Sequence, residues 1–330
     1  MTPRSRCQVG AVVLIGVVLW SSGARVQSQG RPYRIGVLND TFTLASPTVT
    51  GLRAGIKAEG LEEGRDARFA VRSTGGDETK VAPLAAALVR ENPDVVVALG
   101  ERGTRAAMAA APQIPVVFMQ ISDPVAAGLV SSVTRPGGSV TGISNLRADL
   151  VPKRLELAKA LMPNLRRLLM VYDVQDAASV IDSQRAQEAA SRLKLNIVIR
   201  AVRSQEEAVR ELKTASARDV LLAPAAVNLN IMELVLNLNL YAVAPAIFPW
   251  SFWVQAGGAA SYGPDLYAEG VQGARLVVKI LRGARPADLP VEGTDKIELT
   301  VNRKTLRAFG MTIPTALAGR VDKVFEGIGE

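Results

Sequence analysis

PDVVVALGERGTRAAMAAAPQIPVVFMQISD (93–123) predicts a strand, a helix and a second strand in succession. The runs at 95–100 and 116–121 are short, apolar and rich in valine, which is typical of parallel strands covered by helices on both faces. Pro93 and Pro115 stand just before these runs, where a preceding helix has already ended. The segment therefore predicts a βαβ unit in a parallel sheet.

The same alternation continues along the chain after residue 30. Further strands are expected at 34–40, 67–73, 140–145, 168–173, 196–202, 220–224, 246–250, 259–263 and 296–301, and helices at 78–91, 103–111, 152–161, 179–193, 205–215, 228–240 and 265–282. A βαβα succession of this kind predicts an α/β, doubly wound architecture. About 300 residues exceed the usual size of a single core, so two lobes are expected.

Residues 1–28 have the layout of a secretory signal peptide. Two arginines precede an apolar run at 9–20, and small and polar residues follow it. The run is too short to span a bilayer, which needs about 20 apolar residues; a buried N-terminal helix is the alternative. Cleavage is expected after Ala24 or Ser28. Cys7 precedes the apolar run and so cannot carry a lipid, and we expect a protein without a lipid anchor that is free in the periplasm or secreted, with the periplasm preferred.

The sequence contains no histidine. This removes the commonest general base, the commonest zinc ligand and the Ser-His and Cys-His nucleophile pairs. Catalysis through Lys, Glu, Asp or Tyr is the alternative that this leaves, in an exported enzyme; we expect no enzymatic activity. No metal and no cofactor are expected either. The formal net charge of +8 is scattered over predicted helices instead of forming a dense run, so nucleic acid is not an expected partner.

Ligands of doubly wound folds bind outside the carboxyl ends of the strands. The residues just after the predicted strands are therefore the candidate ligand site, and many of them are polar or glycine. These residues are Asn39, Asp40, Gly100, Glu101, Arg102, Gly103, Thr104, Gln120, Ser122, Asp123, Asn145, Tyr172, Asp173, Ala223 and Pro224.

Several blocks of the sequence resemble, in the same order, the solute-binding proteins of ABC transporters in the TrpX-like group. The blocks are IPVVFMQISDPVAAGLVSSVTRPGGSVTGISN (114–145), KRLELAKALMPNLRRLLMVYD (153–173), SYGPDL (261–266), KILRGARPADLPVE (279–292) and TVNRKTLRAFGMTIP (300–314). The resemblance implies a type I periplasmic binding protein fold, in which two Rossmann-like lobes are joined by three crossover strands and enclose a ligand cleft. Mapped here, it implies a first lobe of 31–146 plus 259–285 and a second lobe of 147–258 plus 286–330.

The resemblance also implies a function. The protein would be a monomer that captures a small organic solute, of the amino acid or aromatic carboxylate type, and delivers it to permease subunits in the inner membrane with a separate ATPase. The alternative is a ligand-sensing periplasmic protein that signals to a membrane receptor. In both cases the solute is released chemically unaltered.

The turn GERGTRAA (100–107) opens a helix, whose N-terminal N–H groups favour an anion. In the family, small hydroxyl residues here are thought to hold a ligand carboxylate. In this chain Arg102 would pair with a carboxylate and Glu101 with an ammonium group, or both would point to solvent. The motif G-x-G-x-x-G is absent, so a dinucleotide site is not expected.

Three further candidates have structural alternatives. Asp123 is either a ligand contact, a cap of the following helix, or both. Asn145 offers an amide donor and acceptor to a ligand, or serves as a turn or hinge residue. The aromatic residues at 250, 252 and 253, with Tyr262, either stack on a flat ligand or fill the core of the second lobe.

Overall fold

The structure is a computed structural model that describes residues 31–40, 46–224 and 229–329. The predicted signal peptide and both predicted cleavage sites lie outside these residues. Among the helices described, none is long and apolar enough to cross a membrane.

The described strands form two sheets. The strands are β1 Tyr33–Asn39, β2 Ala67–Ser73, β3 Val95–Leu99, β4 Val116–Ile121, β5 Val140–Ser144, β6 Arg167–Asp173, β7 Ile197–Val202, β8 Asp219–Leu222, β9 Ala246–Phe248, β10 Ala260–Pro264, β11 Glu292–Gly293, β12 Ile297–Asn302 and β13 Lys323–Phe325. The first sheet has the order β11-β5-β4-β3-β1-β2 and the second the order β13-β12-β10-β9-β8-β6-β7. Each strand that the sequence predicts has a counterpart here.

Helices cover the faces of both sheets. They are α1 Pro47–Ala58, α2 Val81–Arg90, α3 Glu101–Ala110, α4 Val151–Leu161, α5 Ala177–Leu193, α6 Gln205–Leu212, α7 Ile231–Leu240, α8 Ser251–Gln255, α9 Leu266–Leu281, α10 Arg303–Ala308 and α11 Thr315–Ala318. Strands with helices on both faces confirm the predicted α/β, two-lobed fold class.

Both sheets are mainly parallel. Strands β2, β1, β3, β4 and β5 pair in parallel within the first sheet, and β7, β6, β8, β9 and β10 do so within the second. Strand β12 is antiparallel to β10 and lies between β10 and the edge strand β13. The carboxyl ends of the parallel strands therefore meet at one edge of each sheet.

Strand β3 shows why the apolar runs are continuous. Val95, Val97 and Leu99 join the core that α1 and α9 cover, whereas Val96 and Ala98 join the core on the opposite face. Side chains of a strand alternate between faces, so two covered faces require an unbroken apolar run. Strand β6 of the second sheet divides its leucine, methionine and valine side chains between two cores in the same way.

Helix α1 was not among the predicted helices. Its sequence carries β-branched residues at 48–50 and glycines at 51 and 55, all of which weaken an isolated helix. It forms against α9, and the glycines permit the contact: a Cβ on Gly51 would lie 2.0 Å from the Tyr267 carbonyl oxygen. Tertiary packing thus outweighs local propensity in this helix.

The chain passes between the two sheets at three places. The first crossing lies between β5 and α4 at 145–150, the second between β10 and α9 at residue 265, and the third between β11 and β12 at 294–296. Strand β10 pairs in the second sheet and β11 in the first. We therefore propose lobe boundaries near 265 and 294 at the second and third crossings, in place of the implied boundaries at 259 and 286.

Candidate functional site

The carboxyl edge of the first sheet collects most of the polar residues that the sequence singles out. Asn39 ends β1, Gly100 follows β3, Gln120 and Ser122 flank the end of β4, and Asn145 follows β5. The carboxyl edge of the second sheet holds Asp173, Ala223 and Pro224, which end or follow β6 and β8. Parallel pairing is what brings residues so distant in sequence to the same edges.

Asp40 lies at the centre of a charged cluster on the first edge. Its side chain is buried and accepts hydrogen bonds from Thr74 Oγ1 at 3.0 Å and from Arg102 Nε at 3.1 Å. Arg102 also pairs with Glu78. Burial raises the pKa of Asp40 above its ordinary value, and the guanidinium of Arg102 opposes that rise. The charge of Arg102 is therefore committed to two carboxylates of the protein.

The remaining residues of the 100–107 turn serve the helix itself. Glu101 accepts hydrogen bonds from Arg105 on the next turn, at 3.0 and 2.8 Å. Thr104 is fully buried and donates its hydroxyl to the Gly100 carbonyl at 2.8 Å. Gly103 packs against the Asp40 side chain, 3.3 Å from where a Cβ would stand. The side chains of this turn are therefore engaged by the protein itself, and the turn's remaining candidates for an anion are its backbone N–H groups.

Gln120 occupies an irregular turn near the end of β4. Its φ of 62° is left-handed, and the register between β4 and β5 shifts at this point. Its backbone N–H donates to Glu269 Oε1 at 2.6 Å, and its side-chain amide donates to Thr48 at 2.7 Å. The side chain of Gln120 is thus held by α1, and its backbone by α9.

Glu269 is not among the candidate residues that the sequence predicts, because it is one glutamate in the first turn of a helix. It is fully buried, and burial raises its pKa to about 8. The hydrogen bond from the Gln120 N–H lowers the pKa and so opposes part of this rise. Its Oε2 atom has no hydrogen-bond partner among the residues that the structure describes. A buried carboxyl that is protonated at neutral pH therefore supports this part of the edge.

Ser122, Asp123 and Asn145 line the first crossing. Ser122 Oγ accepts the N–H of Ala148 at 2.9 Å. Asp123 is exposed, and its Oδ1 accepts the N–H groups of residues 125 and 126, so it caps the turn that follows, as the structural alternative expects. Asn145 is buried and its Oδ1 accepts the N–H of Arg147 at 3.1 Å. The Asn145 Nδ2 donor has no partner among the described residues.

Asp173 ends β6 on the second edge and is fully buried. Its Oδ1 accepts the N–H of Gln175 at 2.8 Å, whereas its Oδ2 has no partner within 31–40, 46–224 and 229–329. Tyr172 is half-buried, and Ala223 and Pro224 are buried. The Ala223 N–H donates to the Ile247 carbonyl across the sheet at 3.0 Å.

The aromatic residues after β9 form one stacked group. Trp250 stacks on Phe252 with ring centroids 5.9 Å apart, and Phe252 contacts Trp253, which stacks on Phe248. Trp250 and Trp253 pack against the core of the second lobe, as one of the two alternatives expects. Neither indole N–H has a hydrogen-bond partner among the described residues, although both atoms are buried. Tyr262 packs on the other core of that lobe.

Two surface cavities, of about 360 and 410 Å³, lie elsewhere. The first is lined by 128–131 and 136–140, and the second by α10 and the segment that follows it. None of the strand-end residues lines either one. Across the described part of the chain, no group of three or more Cys, Asp or Glu residues is placed to hold a metal ion.

Comparison with known proteins identifies the family. Residues 44–325 match the family described as ABC transporter substrate binding protein. A tyrosine-binding protein of Clostridioides difficile (strain R20291) is 26% identical over 266 residues, which are 79% of this chain and 76% of that protein.

Two solved structures give the same result. An ABC domain from Streptococcus pneumoniae in complex with L-Trp is 26% identical, covers 89% of this chain and 100% of its own, and has a TM-score of 0.78. The ligand-free, open structure of a substrate-binding protein with adhesive properties from Clostridium difficile is 25% identical to this chain. It covers 89% of this chain and 99% of its own, with a TM-score of 0.69.

The two sheets and their covering helices are those of a type I periplasmic binding protein. The chain belongs to the family of ABC transporter substrate-binding proteins, which confirms the resemblance found in the sequence. This is a family of solute-binding proteins, not of enzymes, and its members work outside the cytoplasm.

Proposed function

We propose that this protein is the solute-binding component of an ABC importer and that its solute is an aromatic α-amino acid. The relatives carry the proposal: one is a tyrosine-binding protein and another is a structure in complex with L-Trp, and both align with most of this chain. The chemistry of the strand-end residues supports it independently.

An α-amino acid presents a carboxylate and an ammonium group to its site. Asn145 Nδ2 on the first edge is a buried donor, and Asp173 Oδ2 on the second edge is a buried acceptor. Neither atom has a hydrogen-bond partner among the described residues. Buried polar groups are almost always hydrogen-bonded in native proteins. We assign the ligand carboxylate to Asn145 and the ligand ammonium to Asp173, one from each lobe.

The charged cluster on the first edge also favours a ligand that carries an ammonium group. Asp40 and Glu78 both contact Arg102, so two carboxylates face one guanidinium. Arg102, which the sequence suggested as a carboxylate ligand, is neutralised by this pairing. The backbone N–H groups at the start of α3 remain the anion-binding feature of this turn.

Trp250 and Phe252 provide a flat apolar surface after β9. An aromatic ring gains about 0.5–1.5 kcal/mol from such stacking beyond the burial of its area. The indole N–H of Trp250, which has no partner among the described residues, would serve an acceptor on the ligand or a bound water.

The part of this protein in transport requires only differential binding. A ligand held by groups from both lobes contacts all of them only when the lobes approach, so it shifts the equilibrium toward the closed form. The permease in the inner membrane, driven by a separate ATPase, would then recognise that form. The protein would act in the periplasm as a monomer.

Titration of the purified protein with L-tryptophan, L-tyrosine and L-phenylalanine tests the proposal, with L-alanine and L-glutamate as controls. A ligand at 100 times its Kd adds about 2.7 kcal/mol to the free energy of unfolding, which raises the melting temperature. Trp250 and Trp253 are the tryptophans beyond the predicted signal peptide, so their emission reports the binding of L-tyrosine directly. Binding of L-glutamate with none of the aromatic amino acids would contradict the proposal.

Import is tested separately from binding. Deletion of the gene is expected to abolish uptake of the labelled amino acid at low concentration, and Asp173→Asn is expected to restore less uptake than the wild type does. Unchanged uptake together with a lost chemotactic or transcriptional response would favour sensing over import.

A further inference from the structure

Arg154 occupies an unusual place for a guanidinium. It lies on α4 and is 1% exposed. Its Nη2 donates to the Arg147 carbonyl at 2.6 Å, and its Nε donates to the Tyr262 carbonyl at 3.0 Å. Arg147 belongs to the first crossing between the sheets, and Tyr262 lies in β10, two residues before the end of that strand and the second crossing. One side chain therefore joins the first crossing to the strand that leads into the second.

The other crossings are also joined to one another. The Thr294 N–H of the third crossing donates to the Ser144 carbonyl at the start of the first, at 2.8 Å. The Asp265 N–H of the second donates to the Lys296 carbonyl of the third at 3.0 Å, and the two side chains form an ion pair at 2.8 Å. Of these three links, the one between the first and second crossings differs, because it depends on a single side chain, that of Arg154, which lies outside both crossings.

Among the described residues, Arg154 lies beside a buried ion pair. Arg147 and Asp182 form an ion pair in which both side chains are buried, and Arg154 adds a second buried cation beside it. Burial lowers the pKa of Arg154 to about 10, with Asp182 opposing the shift and Arg147 adding to it, so the residue stays charged at neutral pH. Burying a guanidinium is costly even where its N–H groups are hydrogen-bonded, and a purely structural link would not need a charged group.

We propose that Arg154 is a positioning residue for ligand binding, which holds the first two crossings in one arrangement and thereby sets how far the lobes separate. This inference rests on the proposed function, since it concerns the opening and closing of the cleft. Arg154 would act through Arg147, whose N–H orients Asn145, and not by contact with the ligand. Without it, the ligand-free lobes would sample a wider range of separations, and closing on a ligand would lose more conformational entropy.

Two variants separate the contributions of Arg154. Arg154→Met fills the buried site and leaves Arg147 and Asp182 as a balanced pair, but it removes both hydrogen bonds. Arg154→Lys keeps the charge and reaches one carbonyl. Arg167→Lys is the matched control, because Arg167 in β6 also donates to a main-chain carbonyl, that of Thr214 at 2.6 Å, within the second lobe alone.

Single-molecule energy transfer between dyes on Arg68→Cys and Lys213→Cys, in a Cys7→Ser background, measures lobe separation with and without L-tryptophan or L-tyrosine. We expect a broader ligand-free distribution in Arg154→Met and Arg154→Lys, and a Kd at least fivefold weaker, with neither change in Arg167→Lys. Ligand-free distributions that coincide with the wild type would overturn the proposal, as would loss of folding in both Arg154 variants alone. If no protein binds either amino acid, the proposed ligand is wrong, but the ligand-free distributions still decide the role of Arg154.

Discussion

Arg102 Nε donates to Asp40 Oδ2 across 3.1 Å, and this contact joins the end of β1 to the first turn of α3. Asp40 is buried, while Arg102 is about one-third exposed. The pair shows why a charged side chain after a strand need not be a ligand contact. The counterion of Arg102 is Asp40, which follows the neighbouring strand β1, so the guanidinium does not need a ligand carboxylate.

Arg102→Ala is expected to destabilise the ligand-free protein by about 1–3 kcal/mol at pH 7, because it leaves the Asp40 carboxylate buried without its cation. The pKa of Asp40 is already raised above its ordinary value by burial, and the variant raises it further. A group with a raised folded-state pKa favours folding as pH falls, so the deficit should shrink between pH 7 and pH 4. Thermal unfolding of Arg102→Ala and the wild type at pH 7 and pH 4 measures this deficit in the free energy of unfolding. Arg105→Ala, which removes the exposed contacts of Arg105 with Glu101 and with the Ala127 carbonyl, should stay within about 0.5 kcal/mol of the wild type at both pH values.

Glu269→Gln is expected to change the pH dependence of stability. The folded-state pKa of Glu269 is about 8, whereas its ordinary value is 4.5. Its contribution is fully present below 4.5 and is lost as pH rises through 8, so the wild type should lose about 1.4 kcal/mol per pH unit relative to the variant between these values. The amide keeps the oxygen that accepts the Gln120 N–H. Denaturant unfolding at pH 5, 6.5 and 8 measures the slope, with Glu156→Gln as an exposed control, and parallel wild-type and Glu269→Gln curves would contradict it.

Asp173→Asn is expected to weaken binding of L-tryptophan or L-tyrosine at least tenfold, which is about 1.4 kcal/mol, with little effect on the ligand-free protein. The amide oxygen can still accept the Gln175 N–H, but the charge opposite the ligand ammonium is lost. Asn145→Asp should weaken binding comparably, because it places a carboxylate against the ligand carboxylate. Isothermal titration measures both, and Asp123→Asn should remain within twofold of the wild type. Wild-type affinity in both site variants would mean that the ligand lies elsewhere.

Gly51→Ala is expected to destabilise the first lobe by about 1–3 kcal/mol, since α1 and α9 would have to separate. The new Cβ would stand 2.0 Å from the Tyr267 carbonyl oxygen, a backbone atom that cannot rotate away. Gly319→Ala is the matched control, because nothing lies within 4 Å of its Cβ position. The melting temperatures of the two variants provide the comparison, and equal values would show that the helices adjust without loss.

The sheets were predictable because their signal is local. Strands covered on both faces must be apolar throughout, and Val95 to Leu99 carries that pattern without reference to any other part of the chain. Helix α1 was missed for the opposite reason: its glycines and β-branched residues disfavour a helix, and only the contact with α9, more than 200 residues away, explains them.

The candidate site was predictable by position but not by role. Parallel pairing places Asn39, Asp40, Gln120 and Asn145 at one edge, as expected. Which of them has a free hydrogen-bonding group depends on neighbours from distant segments, such as Thr48 for Gln120. Glu269 and Arg154 gave no sequence signal, because a glutamate and an arginine on amphipathic helices are ordinarily exposed.

The order of the crossings also governs biosynthesis. Helix α9 covers one face of the first sheet, yet it follows ten of the strands and comes after most of the second lobe. A polypeptide that emerges N-terminus first therefore leaves Ile35, Val97 and their neighbours open to water until residues 266–281 are available. Neither lobe can therefore complete its fold independently during synthesis. A nascent chain that stalls before α9 exposes an apolar, aggregation-prone surface to which chaperones bind.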